Sequence, residues 1–394
     1  MGVSYQIQPD VITSYRVETT YGTLATNDAT ARRFRTNAGG GMVLTKSPIT
    51  PNEIRSDLQM VRPRHGPKSV AGSLSGDLSL TSYDPLLEAA FRATYSAPLV
   101  SASLTSSYVQ STGIWTRATG SFVGEGYKVG DVVTVTGGVN AGVPVILVAV
   151  GTTTATIGNR TAWADQTSVA GVVATRPKKL VAGSTPVLRG FSIEHWESGA
   201  TNSERFTGCR VSSLAFNQPP EGTVSVDFGF MGLDRVLGTG RYFTSATEST
   251  TAPMASVDAI VCYNNAQVLT LQNMSLSLDL QTAAPFVIGA TTAPNVFDGV
   301  QQVAAKLTFM KTAQANVTAF QNESGPFSMQ VMYREPGTNG FIALNIPAFT
   351  LGSATPPERI GTSGPQLEEI DLLIGVASGS DRDAAMITLC TSAA

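Results

Sequence analysis

The chain has 394 residues, room for two or three domains and a sizeable core. Hydrophobic residues make up 42% of it but charged residues only 14%, against about a quarter in a typical globular chain, so Ser, Thr, Gly, Asn and Gln must cover the surface. A net charge of −3 excludes a basic field able to hold nucleic acid by its phosphates.

In chain order, "MGVSYQIQPD" shows no basic region followed by an apolar stretch, which reads as no signal peptide, and Gln6 breaks the myristoylation pattern begun by Met1 and Gly2. "NAGGGMV" (residues 37–43) lacks the Lys-Ser/Thr ending of a phosphate loop and reads as a flexible loop. Residues 53–61 alternate, with Glu53, Arg55, Asp57 and Gln59 on one side and Ile54, Leu58 and Met60 on the other, and predict a strand. A loop with Pro63, His65, Gly66 and Pro67 leads to "SVAGSLSGDLSL" (residues 69–80). Side chains alternate faces along a strand, so Val70, Leu74, Leu78 and Leu80 make a dry face. The wet face is Ser69, Ala71, Ser73, Ser75, Asp77 and Ser79, small residues with none of the long charges that usually coat a solvated sheet. "YDPLLEAAF" then predicts a short helix with Asp84 as N-cap, Pro85 at the first helical position and an apolar stripe of Leu86, Leu87, Ala90 and Phe91.

The same order returns later. "LQNMSLSLDL" (residues 271–280) puts Asn273, Ser275, Ser277 and Asp279 on a wet face and Met274, Leu276, Leu278 and Leu280 on a dry one. A Gly/Pro/Asn loop, the strand "GVQQVAAKLTFM" and a helix capped by Thr312, with Ala313, Val317 and Phe320 on one side, follow. "FSIEHWE" after the first helix and "FSMQVMYRE" after the second open similar strand sets: residues 205–216 and 223–230 in one case, 341–349 and 367–376 in the other. One order of elements occurring twice points to internal duplication. Residues 103–185 break the symmetry. They are rich in Thr, Val and Gly, with two short strands in "GSFVGEGYKVGDVVTVTGG" and a hairpin in "VPVILVAVGTTTATIG", and read as a small inserted β domain. The expected units are 1–102 with 186–250, the insertion 103–185, and 251–394.

Catalytic and metal motifs are missing. His65 and His195 have no cysteine or second histidine at ligand spacing. In "GSLSG", Leu74 stands where a nucleophile elbow requires Ser. Glu368, Glu369 and Asp371 in "QLEEIDLLIGV" read as solvated charges at a strand start rather than a catalytic pair. Cys209, Cys262 and Cys390 are odd in number and far apart, which reads as buried thiols in a reducing cytoplasm. The longest apolar run, residues 143–150, is too short to span a bilayer. Aromatics do not interleave with Lys or Arg as stacking platforms for single strands would. Neither an enzyme nor a cofactor is expected.

"YRVETTYGTL" (residues 15–24), "ITPNEIRSDLQMVRPRHGPKSVAGSLSGDLSLTSYDPLLEAAF", "FSIEHWESG", "RFTGCRVSSLAF" and "GYKVGDVVTVTGG", taken together and in order, resemble the tail tube (major tail) proteins of long-tailed bacteriophages. The resemblance implies a mainly β fold, of β-sandwich or barrel type with short flanking helices, here as two tandem repeats plus an inserted β domain displayed outside the tube. It implies a structural virion protein, assembled in the host cytoplasm, whose stacked rings form a conduit for double-stranded DNA, and no catalysis. Expected partners are further copies of itself, tape measure, tail terminator and distal tail proteins, and DNA passing without sequence-specific binding; no membrane is involved.

A barrel of ~16–18 strands leaves only a water channel, so several chains must share a wall around a duplex. Its lining should be wet, smooth and free of basic clusters. Glu53, Arg55, Asp57, Gln59, Ser69, Ser73, Ser75, Asp77, Asn273, Ser275, Ser277 and Asp279 are the candidate lumen-facing residues. A ring of three chains with approximate sixfold symmetry is favoured because two units occur per chain; six chains are the alternative. The competing class is a phage or cell-surface binding module, which should carry exposed aromatics on loops, with Trp115, Trp163 and Trp196 as its tryptophans.

Overall fold

The computed structural model describes residues 11–199, 202–356 and 364–393; Met1 to Asp10, read above for targeting signals, lie outside them. The protein is mainly β, as expected. Its longest continuous surface is an antiparallel wall of eight strands: Gly40–Ile49, Arg64–Asp77, Ser225–Gly232, the C-terminal half of Asn202–Gln218, Leu271–Asp279, Gln302–Met310, Leu367–Ile374 and the end of Phe341–Leu351. Alternation makes each strand two-sided. In Leu271–Asp279, Met274, Leu276 and Leu278 are buried while Asn273, Ser275, Ser277 and Asp279 are exposed.

The dry faces of the wall meet a second layer across one core. Asn202–Gln218 is long enough to serve both layers: its N-terminal half leaves the wall to pair with Phe191–Glu197, which in turn pairs with Val11–Val17. In the later half of the chain, Phe327–Arg334 and Phe341–Leu351 do the same beside Ile260–Tyr263 and Thr388–Thr391. Leu74, Phe228, Leu276, Leu307, Met329, Ile342 and Ile370 all belong to this shared core. The helix Asp84–Ala90 buries Leu86, Leu87, Ala89 and Ala90 in it.

The two helix caps differ from expectation. Asp84 is the first helical residue and Tyr83 the N-cap, with no side-chain cap bond. The second helix is Ala315–Gln321; Gln314 is its cap, Thr312 and Ala313 precede it, and none of its residues is buried. Two loop readings are also corrected. Residues 40–43 of the Gly-rich stretch open a strand, with Gly40 and Gly41 at φ +86° and +145°. Conversely, residues 51–63 contain no strand. Leu58 sits at φ +57°, and Arg55 and Asp57 pair with each other at 2.9 Å, closing a turn between Pro51 and Pro63. Alternation there has no core to answer to: Ile54 is 101% and Leu58 95% exposed.

A second sheet occupies residues 99–176. Six of its strands close a barrel, because Gln166–Arg176 pairs with Leu104–Val109 on one edge and Val132–Thr136 on the other. The hairpin expected in "VPVILVAVGTTTATIG" is present as Val145–Val150 and Thr154–Ile157. "GSFVGEGYKVGDVVTVTGG" holds one strand, Val132–Thr136, not two. Its first part is a helical turn, Phe122–Glu125, where the Ser121 hydroxyl accepts the Gly124 N–H at 2.9 Å. Lys178–Val181, within the segment expected to be inserted, pairs instead with Thr388–Thr391 of the second layer.

Candidate functional site

Register brings the two small-polar faces seen in the sequence onto one surface. Row by row across the wall, Ser73 lies between Gly41 and Gly229, and Ser213 joins Gly229 to Asp279 and Gln302. Ser75 faces Asp227, then Ala215, Ser277 and Ala304. Asp77 faces Ser225, then Asn217, Ser275, Lys306 and Asp371. Ser69, on the same parity, pairs with Thr45, their hydroxyls 2.7 Å apart, and Asn273 pairs with Thr308. Two strands expected in separate units are thus separated by only Ser225–Gly232 and the end of Asn202–Gln218.

Glu53, Arg55, Asp57 and Gln59 do not join them. All four are exposed on the hairpin loop between Gly40–Ile49 and Arg64–Asp77. The residues that the sequence reading missed are Ser225, Asp227, Ser213, Ala215 and Asn217. Their signal was present, since "SVDFGF" alternates Ser225, Asp227 and Gly229 against Val226, Phe228 and Phe230.

On the small-polar face, a Cβ on Gly229 would lie 2.3 Å from the Ser213 hydroxyl. On the opposite, core-side parity of the same wall, a Cβ on Gly72 would lie 2.2 Å from the Gly41 carbonyl oxygen, and one on Gly76 2.1 Å from the Tyr83 hydroxyl. The charge of the small-polar face is acidic: Asp77, Asp227, Asp279, Glu369 and Asp371 lie on it with Lys306. Glu369 holds the Lys306 ammonium at 2.5 Å, and that hydrogen bond raises the lysine's pKa. Asn217 donates to Asp227 at 2.9 Å, Asn37 to Asp77 at 2.9 Å and Ser353 to Asp371 at 2.7 Å, which gives each of these carboxylates a hydrogen-bond donor.

Other candidates have local roles. His195 accepts the Met42 N–H on Nε2 at 2.9 Å, so its proton sits on Nδ1, 2.9 Å from the Thr13 hydroxyl. Burial lowers its pKa to about 4, keeping it neutral. His65 is exposed on the strand Arg64–Asp77, not in a loop. Glu368 is buried and accepts from Asn316 at 2.8 Å, while Glu369 and Asp371 face the other way along the wall. The three cysteines are free and buried, and burial pushes the Cys262 and Cys390 thiols up to about 12. Trp115 and Trp163 pack edge to face in the barrel interior, 5.3 Å between ring centroids, so neither offers a ligand platform.

No curated protein matches the chain. A family model described as phage tail tube protein matches residues 10–373. A two-layer β body whose long antiparallel wall presents small polar side chains, matched over nearly its whole length by that model, belongs to the phage tail tube protein family, and the protein is a structural component of the virion tail.

Proposed function

We propose that three copies close into a ring around a bore lined by the small-polar wall, and that stacked rings conduct double-stranded DNA during ejection. The carrying observation is the continuity of that wall across both halves of the chain, with an acidic balance that repels phosphates. A conduit that bound them would slow the genome, since each added phosphate contact strengthens binding.

Two tube-fold units per chain, 1–102 with 186–250 and 251–394, are supported by matching hydrogen bonds. Leu87, Phe91 and Ala93 donate to Tyr83, Leu87 and Glu88 around the first helix; Thr318, Asn322 and Ser324 donate to Gln314, Thr318 and Ala319 around the second. Leu78 donates to Val224 as Lys311 donates to Gln366. Each unit gives four strands to the wall in one order, and the units join head to tail where Asn202–Gln218 meets Leu271–Asp279. Eight strands per chain make ~24 for three chains, a wider bore than a porin's.

Of the region 103–185, the small barrel belongs outside the tube on this reading, while Lys178–Val181 stays with the body. The small barrel packs Val132, Ile146 and Val148 on Met332, Phe341 and Ala343, on the side of the second layer turned away from the core. Tape measure, terminator and distal tail proteins complete the expected partners. A ring reconstruction made without imposed symmetry tests the stoichiometry: three copies of the small barrel are expected, and six would overturn it. Ser73→Lys with Ser75→Lys should fold normally yet slow DNA ejection; ejection at wild-type speed would remove these residues from the bore.

A further inference from the structure

The junction between the two halves of the chain has a charge polarity that the corresponding outer edges of the two halves reverse. Inside the chain, the loop between Leu271–Asp279 and Gln302–Met310 lies on the first half. Arg92 donates to the carbonyls of Gly299 and Leu280, each at 2.7 Å, and lies 3.5 Å from Asp298. Arg210 also binds Asp298 while stacking 4.5 Å over Tyr21, whose hydroxyl takes the Val296 N–H at 3.2 Å. Both arginines and the aspartate are nearly buried, at 10–12% exposure. Cations of the body thus hold an anion of the hairpin.

The second half has the same place, empty and of opposite sign. Arg92 follows the first helix at φ +51°; Glu323 follows the second at φ +49°, with its N–H on Phe320 as that of Arg92 is on Ala89. Ala89 is buried, whereas Phe320 is 41% exposed. Glu323 is exposed and forms no ion pair among the described residues. The first half's hairpin is unpartnered in turn. The Leu78 and Lys311 correspondence sets Asp298 level with His65, and there the chain carries Arg62, Arg64 and His65, all exposed. Beyond them, Ile54, Leu58 and Met60 are exposed apolar side chains.

We infer that this hairpin docks on a second copy of the chain, its Arg62–Arg64–His65 cluster against Glu323 and its apolar residues over Phe320. The inference rests on the head-to-tail ring. It adds that the junction between copies inverts the ion pair of the junction within a chain. A hairpin of the wrong half would then set arginine against arginine or carboxylate against carboxylate, and such like-charge contacts suppress wrong pairings. The two halves can only alternate around the ring.

The test is a charge swap in the full chain. Glu323→Arg should leave the melting temperature of the unassembled protein unchanged, since Arg92 shows that arginine tolerates this backbone. It should raise the concentration needed for assembly about tenfold or more. Arg64→Glu alone should do the same, and Glu323→Arg with Arg64→Glu should restore assembly. Rings from Glu323→Arg at wild-type concentration would overturn the pairing and leave the ring reading intact. Failure of the double variant to recover would also overturn it. Wild-type protein that never assembles would remove the ring reading and the pairing together.

Discussion

Lys179 is 1% exposed and charged, held by Asp131 of the small barrel and Asp383 near the C-terminus. Burial by itself would lower its pKa, but the two carboxylates outweigh that and raise it. Breaking such a group by removing one partner costs far more than the group contributes, because the remaining charges stay buried without a counter-ion. Lys179→Met should therefore destabilise the fold by roughly 3–5 kcal/mol in chemical denaturation. His195 gives a pH signature. Its folded pKa of about 4 lies below the ordinary 6.5, so its contribution is complete above pH 6.5 and is lost as pH falls toward 4. Stability attributable to it should fall by roughly 2–3 kcal/mol between pH 7 and 4.5. Urea denaturation of wild type and His195→Gln at both pH values checks this: the variant should show a shallower drop.

At the level of elements, the edge strand Gly40–Ile49 depends on the absence of side chains behind it. A Cβ at position 72 would meet the backbone of Gly41 and Met42, which can yield only if the edge strand moves. Gly72→Ala should cost about 1–3 kcal/mol, the usual range for overpacking, and should raise hydrogen exchange first in residues 40–45. The hairpin was only partly legible in the sequence. Its wall strand from Ser69 to Asp77 carries its own pattern, but the run from Glu53 to Gln59 alternates just as well and forms a turn. Alternation shows that a segment could be two-sided; it does not supply the neighbour whose N–H and C=O groups make it a strand.

At the scale of the whole molecule, the small barrel is bound to the body by more than its chain ends. Val129 N–H donates to the Asp381 carbonyl at 2.8 Å, and Cys262, Met332, Phe341, Ala343 and Cys390 lie in the apolar contact. Replacing residues 103–185 by a Gly/Ser linker would also delete Lys178–Val181, which pairs with Thr388–Thr391, and should abolish soluble expression. A narrower excision that keeps Lys178–Val181 and changes Met332 and Phe341 to polar residues should stay soluble. Size-exclusion chromatography of the two deletions distinguishes them.

The β class, the two-sided strands, the order of elements and the small-polar character of Ser69 to Asp77 and Asn273 to Asp279 were legible from the residues alone, because all of these are local: they follow from side-chain period and from where Gly and Pro interrupt it. That these two faces adjoin on one wall, that Gln166–Arg176 closes a barrel, and that Lys179 meets two carboxylates from distant segments emerges only in the folded chain. Those outcomes depend on which strand edges pair, and pairing is set by hydrogen bonds and core packing between residues far apart in the chain.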